Sequence, residues 1–325
     1  MAQLPFVSIP GMRDDIGRIE AALARSVQTG DAYLTEIASH LISAGGKLLR
    51  PMLALAAAQV AGGPSSDEAV QGGIACELVQ TGSLYHDDVM DEASTRRGVE
   101  TVNAKWGNLQ AILAGDFLLA RASEIAASLG TEVAALLART IGRLCEGQIE
   151  ELRHTYNPAR PESSYLASIA GKTASLFATS ARIGAIVADL DRPTIDVLTE
   201  YGEAFGMVFQ IVDDLLDITA TDGQLGKPAG HDMVEGVYTL PVLRTLQSGG
   251  IAAASLLDLL GRPLEASERE KALEIVRAHS GVASALRTAH EWADRAISAC
   301  DALPATAATD ALRAAPGDLL ASLHP

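Results

Sequence analysis

At 325 residues, 48% of them hydrophobic but only 4% aromatic, the chain reads as an Ala- and Leu-rich helical protein rather than a β-sandwich. Its net charge of −16 excludes nucleic acid as a partner, because that needs a basic footprint. No apolar run reaches the roughly 18 residues that span a bilayer, and no basic start followed by an apolar stretch marks a secretory signal.

Helical periodicity dominates from the start. Ile16, Ile19, Ala22 and Leu23 suit a first amphipathic helix. Further helices are expected over 31–44, 51–62, 66–91, 107–129, 131–153, 164–190, 193–219, 251–260, 266–279 and 280–302. Turns fall at Ala61-Gly-Gly-Pro-Ser-Ser66 and Asn157-Pro-Ala-Arg-Pro161, and no alternating strand pattern is found. The stretch from Thr221 to Tyr238 is long, Gly-rich and charged between two apolar helices, so it reads as a functional loop. Length suggests two domains, but no linker divides the chain. Residues 1–325 are therefore expected to form one large all-α domain. Cys76, Cys145 and Cys300 stand far apart with no CxxC pair, which suits buried small hydrophobes in a reducing cytoplasm.

Two motifs carry the chemistry: Asp87-Asp-Val-Met-Asp91 and Asp213-Asp-Leu-Leu-Asp217. Each ends an apolar helical run, and its outer aspartates lie four apart on one helix face. Like charges at that spacing repel, so stability does not explain them. A solvated helix end explains one DDxxD, but two copies after buried stretches point to hard oxygen ligands for Mg²⁺, which also takes phosphate oxygens. Cations complete the pattern. Gly45-Gly-Lys-Leu-Leu-Arg50-Pro51 sets Lys47 and Arg50 at a helix start, where anions are favoured. Arg96-Arg97-Gly98 follows the first motif, Lys172-Thr173 interrupts an apolar helix, and Lys227 lies in the long loop. Local charge of this kind reconciles an acidic chain with an anionic substrate.

GGKxxRP, SLxHDDVMD followed by RRG, KTASLF, and FQIVDDLLD followed by GKxxGxD resemble the trans-isoprenyl diphosphate synthases, in the family's order, over roughly residues 40 to 241. The resemblance implies a helical bundle around a central cavity, the type I isoprenoid synthase fold. It also implies a prenyltransferase that ionises an allylic diphosphate and adds isopentenyl diphosphate head to tail, with released diphosphate taking the proton. Asp87 and Asp91 would then bind two Mg²⁺ and Asp213 a third, with Asp217 and Asp232 in support. Arg96, Lys172, Thr173, Gln210 and Lys227 would hold the allylic diphosphate, and Lys47, Arg50, Gln80 and Arg97 the isopentenyl diphosphate. A homodimer is the implied assembly.

The departures are Gln80, where long-chain members often carry His, Val237 in place of a loop cation, and a non-basic C-terminus. His86 is expected to make a structural hydrogen bond. Gln148, Glu150 and Glu151 would line the cavity or face solvent. A class I terpene cyclase has no use for Lys47, Arg50 and Arg97, and a non-catalytic subunit of a heteromeric synthase would lose aspartates that are intact here. Product length is read from the helix carrying Asp87. Ser83, Val79 or Gln80, Cys76 and Gly72 lie on one face, about 5.4 Å apart per turn. Short-chain relatives place an aromatic stopper at the level of Gly82 and Ser83; these being small, with Cys76, Gly72 and Gly73 keeping deeper turns open, products of geranylgeranyl size or longer are expected.

Overall fold

A computed structural model describes residues 4–221 and 228–323. It is all-α apart from one two-stranded hairpin. The helices are α1 (Met12–Ser26), α2 (Ala32–Ser43), α3 (Leu49–Ala58), α4 (Asp67–Met90), α5 (Val102–Trp106), α6 (Asn108–Ser128), α7 (Thr131–Leu152), α8 (Glu162–Ile169) and α9 (Ser175–Val187). They continue with α10 (Arg192–Thr219), α11 (His231–Val234), α12 (Leu240–Gln247), α13 (Gly250–Leu257), α14 (Ala266–Arg277), α15 (Ser280–Ala299) and α16 (Ala307–Ala321). The hairpin strands are β1 (Thr95–Arg96) and β2 (Val99–Glu100). None of the described helices is long and apolar enough to cross a membrane.

Two long helices set the frame. The 24-residue α4 starts at Ser66, whose side chain accepts from Ala69 N, with Asp67 and Glu68 in its first turn. The 28-residue α10, about 42 Å long, starts at Asp191, which accepts from Thr194 N, with Pro193 pre-set for the first turn. Ile195, Leu198, Tyr201, Phe205, Val208, Val212 and Leu215 recur at helical spacing and are buried. α10 packs between α9 and α15, while α4 packs against α6 and α3. Phe177 bridges the two sides of the core, with ring centroids 5.5 Å from Phe205 and 5.2 Å from Phe209. Both aspartate motifs fall at the C-terminal ends of these two helices.

Three differences from the expected elements matter. The helix expected over 164–190 is broken by a π-helical segment, Ala170–Ala174, between α8 and α9. Glycines explain its placement. A Cβ on Gly171 would fall 2.8 Å from Arg143 O, and one on Gly147 would fall 2.5 Å from Lys172 N, so α7 meets this segment backbone to backbone. The hairpin was not foreseen because each strand is two residues long; Arg97 and Gly98 both have positive φ (52° and 75°), as its two-residue loop requires. α12 and α16 were also missed. α12 follows the long loop directly, and α16 contains Pro316, a residue that argues against helix.

Candidate active site

The first motif closes α4. Asp87 is half-buried and Asp91 exposed, while Asp88 between them is fully buried. Burial raises the protonation range of Asp87, opposed by the charges of Lys172 and Arg96. Burial and then the charge of Glu235 push Asp91 up to about 6. Asp88 accepts from Arg96 Nε at 2.5 Å, and Asn103 Nδ2 donates to the carbonyls of Asp88 and Ala93, each at 3.0 Å. The hairpin therefore hangs from the middle aspartate, and Arg96, expected to face a diphosphate, is oriented by a buried carboxylate.

Lys172 sits on the π-helical segment, its Nζ 2.9 Å from Glu151 Oε1 of α7. Burial works to lower its pKa, but Glu151, Asp87 and Asp91 outweigh that and hold the ammonium above its ordinary range. Lys172 thus faces the first aspartate motif and is not a solvated lysine on an apolar helix. On α10, Asp213 is exposed while Asp214 and Asp217 are buried. Gly230 N donates to Asp217 O at 2.7 Å and Asp232 N to Asp217 Oδ2 at 3.3 Å, which brings Asp232 to the second motif. That loop is fastened further by Tyr156, whose hydroxyl donates to Val234 O at 2.9 Å and whose amide donates to Gly236 O at 2.9 Å. Lys227 lies outside the described residues.

The other cation cluster lies on α3, α4 and the hairpin turn. Arg50 is buried with its guanidinium 4.3 Å from the Phe177 ring centroid. Burial lowers its pKa to about 10, against the charge of Glu77. Arg97 donates to Leu41 O at 2.9 Å and lies 3.6 Å from the buried Glu77 carboxylate. Gly46 leaves room for it, since a Cβ there would meet the guanidinium at 3.1 Å. Lys47 is exposed and Gln80 half-buried on the same face of α4 as Glu77. Arg50, Arg97 and Glu77 therefore stand together, and Glu77 is a partner of these cations that the sequence patterns did not single out. Its signal was a carboxylate one turn from Gln80 inside an apolar run.

The glycines on α4 do not leave the open space expected of them. A Cβ on Gly72 would fall 2.4 Å from Ile183 Cγ2, on Gly73 2.8 Å from Pro51 Cα, and on Gly82 3.0 Å from Gly115 O. These glycines permit close helix packing against α9, α3 and α6, so Gly72 and Gly73 do not keep deeper turns open. Cys76 is fully buried, and burial pushes its thiol up to about 12. Ser83 stays half-buried, as does Gln80, and donates to Gln80 O at 2.9 Å. His86 hydrogen-bonds Ile112 O at 3.1 Å, a structural contact as expected.

Among the described residues, no three Asp, Glu, His or Cys side chains converge into a closed metal cage. The fit to Mg²⁺ is nonetheless good: burial and like charge disfavour the ionised aspartates, a divalent cation relieves both, and Mg²⁺ completes its shell from water and phosphate.

An all-α frame with two DDxxD helix ends, a facing lysine and a separate arginine cluster defines a prenyltransferase of the trans-prenyl diphosphate synthase class. The family model for polyprenyl synthetase matches residues 31–276, and the chain belongs to that family. It is similar to heptaprenyl diphosphate synthase component 2 of Geobacillus stearothermophilus, at 38% identity over 93% of this chain and 94% of that one. It is also similar to nonaprenyl diphosphate synthase of Mycobacterium tuberculosis, at 36% identity over 88% and 85%. Among solved structures, a decaprenyl diphosphate synthase from Rhodobacter capsulatus superposes with a TM-score of 0.89 at 31% identity, covering 97% of this chain and 98% of that one.

Proposed function

We propose that the chain is a Mg²⁺-dependent synthase that condenses isopentenyl diphosphate with an allylic diphosphate to products of geranylgeranyl size or longer. The observation that carries this reading is the pair of intact aspartate motifs at the ends of α4 and α10, with Lys172 held by Glu151 within the field of Asp87 and Asp91. The hepta-, nona- and decaprenyl synthases to which the chain is similar support the length.

Asp87, Asp91, Asp213 and Asp217 hold the metal, with Asp232 in support, and the family resemblance implies three ions. Bound Mg²⁺ supplies charge stabilisation to the departing diphosphate. Lys172, Arg96, Thr173, Gln210 and Lys227 bind and orient the allylic diphosphate. Lys47, Arg50, Gln80 and Arg97 bind isopentenyl diphosphate. Fixed cations near the scissile carbon–oxygen bond favour its ionisation, and the apolar core excludes water that would quench the cation. Released diphosphate removes the proton, so no protein general base is needed.

A homodimer working in the cytoplasm is the assembly we favour. Leu109, Ile112 and Leu113 form an exposed apolar run on α6, and the three cysteines are unpaired. A second reading, in which the chain pairs with a different subunit, draws on the Geobacillus relative being named a component 2.

The test is metal and motif dependence. Turnover should vanish in chelator and return with Mg²⁺, and Asp87→Ala or Asp213→Ala should lower kcat by two orders of magnitude or more with the helical circular-dichroism spectrum retained. Activity within tenfold of wild type, about 1.4 kcal/mol of barrier, contradicts the assignment.

A further inference from the structure

Beneath the second aspartate motif runs a chain of polar side chains that leads from Thr173 and Gln210 to two buried residues, Asp214 and Tyr165, which the chemistry above does not use. Tyr165 of α8 donates its hydroxyl to Asp214 Oδ2 at 2.5 Å. Gln210 Nε2 donates to Asp214 Oδ1 at 2.8 Å, and Thr173 Oγ1 donates to Gln210 Oε1 at 2.7 Å. Tyr165 is 1% exposed and Asp214 3% exposed. Behind them the buried Arg160 donates to Ser168 Oγ at 2.6 Å, Ser168 donates to Tyr165 O at 2.9 Å, and the Arg160 guanidinium lies 5.7 Å from the Tyr165 ring centroid.

The chain has a direction. A carboxylate oxygen only accepts, so Asp214 takes the NH₂ end of Gln210 and turns the amide oxygen toward Thr173. Thr173 then commits its proton to Gln210, and the amide keeps one hydrogen for another acceptor. Tyr165 fixes the far end, because its single proton occupies the other carboxylate oxygen. Three elements, α8, the π-helical segment and α10, are joined through one carboxylate. Such networks, when every member is satisfied, hold one arrangement of side chains.

We propose that Tyr165 and Asp214 are positioning residues that preset the Gln210 amide, with its remaining hydrogen, for the allylic diphosphate. This deepens the reading above and rests on it. Neither residue touches the reacting atoms. They act through Gln210, whose amide oxygen Thr173 holds, and their effect should be confined to one of the two substrates.

The experiment is steady-state kinetics of Tyr165→Phe with each diphosphate varied in turn, beside thermal unfolding. The expected result is a fivefold or greater rise in KM for the allylic diphosphate, KM for isopentenyl diphosphate within twofold, and Tm within a few degrees. Asp214→Asn, which keeps the shape and loses one acceptor, should give the same pattern and serves if Tyr165→Phe does not fold. In a Gln210→Met background, adding Tyr165→Phe should raise the allylic KM no further, since coupled residues are not additive. A purely structural role would move both KM values together, or add to Gln210→Met, and either result overturns the proposal. If wild type makes no product, the functional reading itself falls; if wild type turns over and Tyr165→Phe does not discriminate, only this proposal does.

Discussion

Charged side chains in this molecule are seldom where a lone residue type would put them. Lys172, Arg96 and Arg97 each meet a carboxylate supplied by a different element: Glu151, Asp88 and Glu77. The cations were legible from their motifs, but these partners were not, because a carboxylate on an apolar helix has no spacing signature and its role depends on what packs against it. Glu77 shows this best. Burial raises its pKa, and only the charges of Arg50 and Arg97 keep the ionised form accessible. Arg97 lies beside Gly46, next to the exposed Lys47. Arg97→Ala should therefore raise KM for isopentenyl diphosphate tenfold or more while leaving the allylic KM within threefold. Equal effects on both substrates would mean that the two diphosphate pockets are wrongly divided.

Helices were read well where the apolar period was long, as in α4 and α10, and poorly where backbone contact decided the shape. The π-helical segment is the clearest case. Its sequence, Ala-Gly-Lys-Thr-Ala, is compatible with a continuous helix; the bulge accompanies the approach of Gly147 and Gly171 across the α7 contact. Gly147→Ala should cost about 1–3 kcal/mol, because the new methyl meets backbone that cannot rotate away. Thermal unfolding measures this, and an unchanged Tm would refute the contact. The α4 glycines teach the same lesson in reverse: read from sequence they were open space, and in the fold they are filled by neighbouring helices. Ser83 is what remains of that argument. Ser83→Phe should shorten the product while the first condensation continues, as chromatography of the products would show. An unchanged product would remove Ser83 from length control.

At the scale of the whole molecule, the proposed reading lets an acidic chain bind two anionic substrates, because its cations are local and burial and like charge make its carboxylates gain from a metal. The fold class and the two aspartate motifs were legible because both depend on short-range patterns: helical periodicity and four-residue spacing. The contacts that join α4, α7, α8, α10 and the hairpin into one site span tens of residues in sequence, and only the packing discloses them. The most direct test of this account is turnover by the purified chain with no second subunit added, given Mg²⁺, labelled isopentenyl diphosphate and an allylic primer. The account predicts labelled prenyl diphosphates of geranylgeranyl size or longer; absence of product, or a product that stops at farnesyl diphosphate, would contradict it.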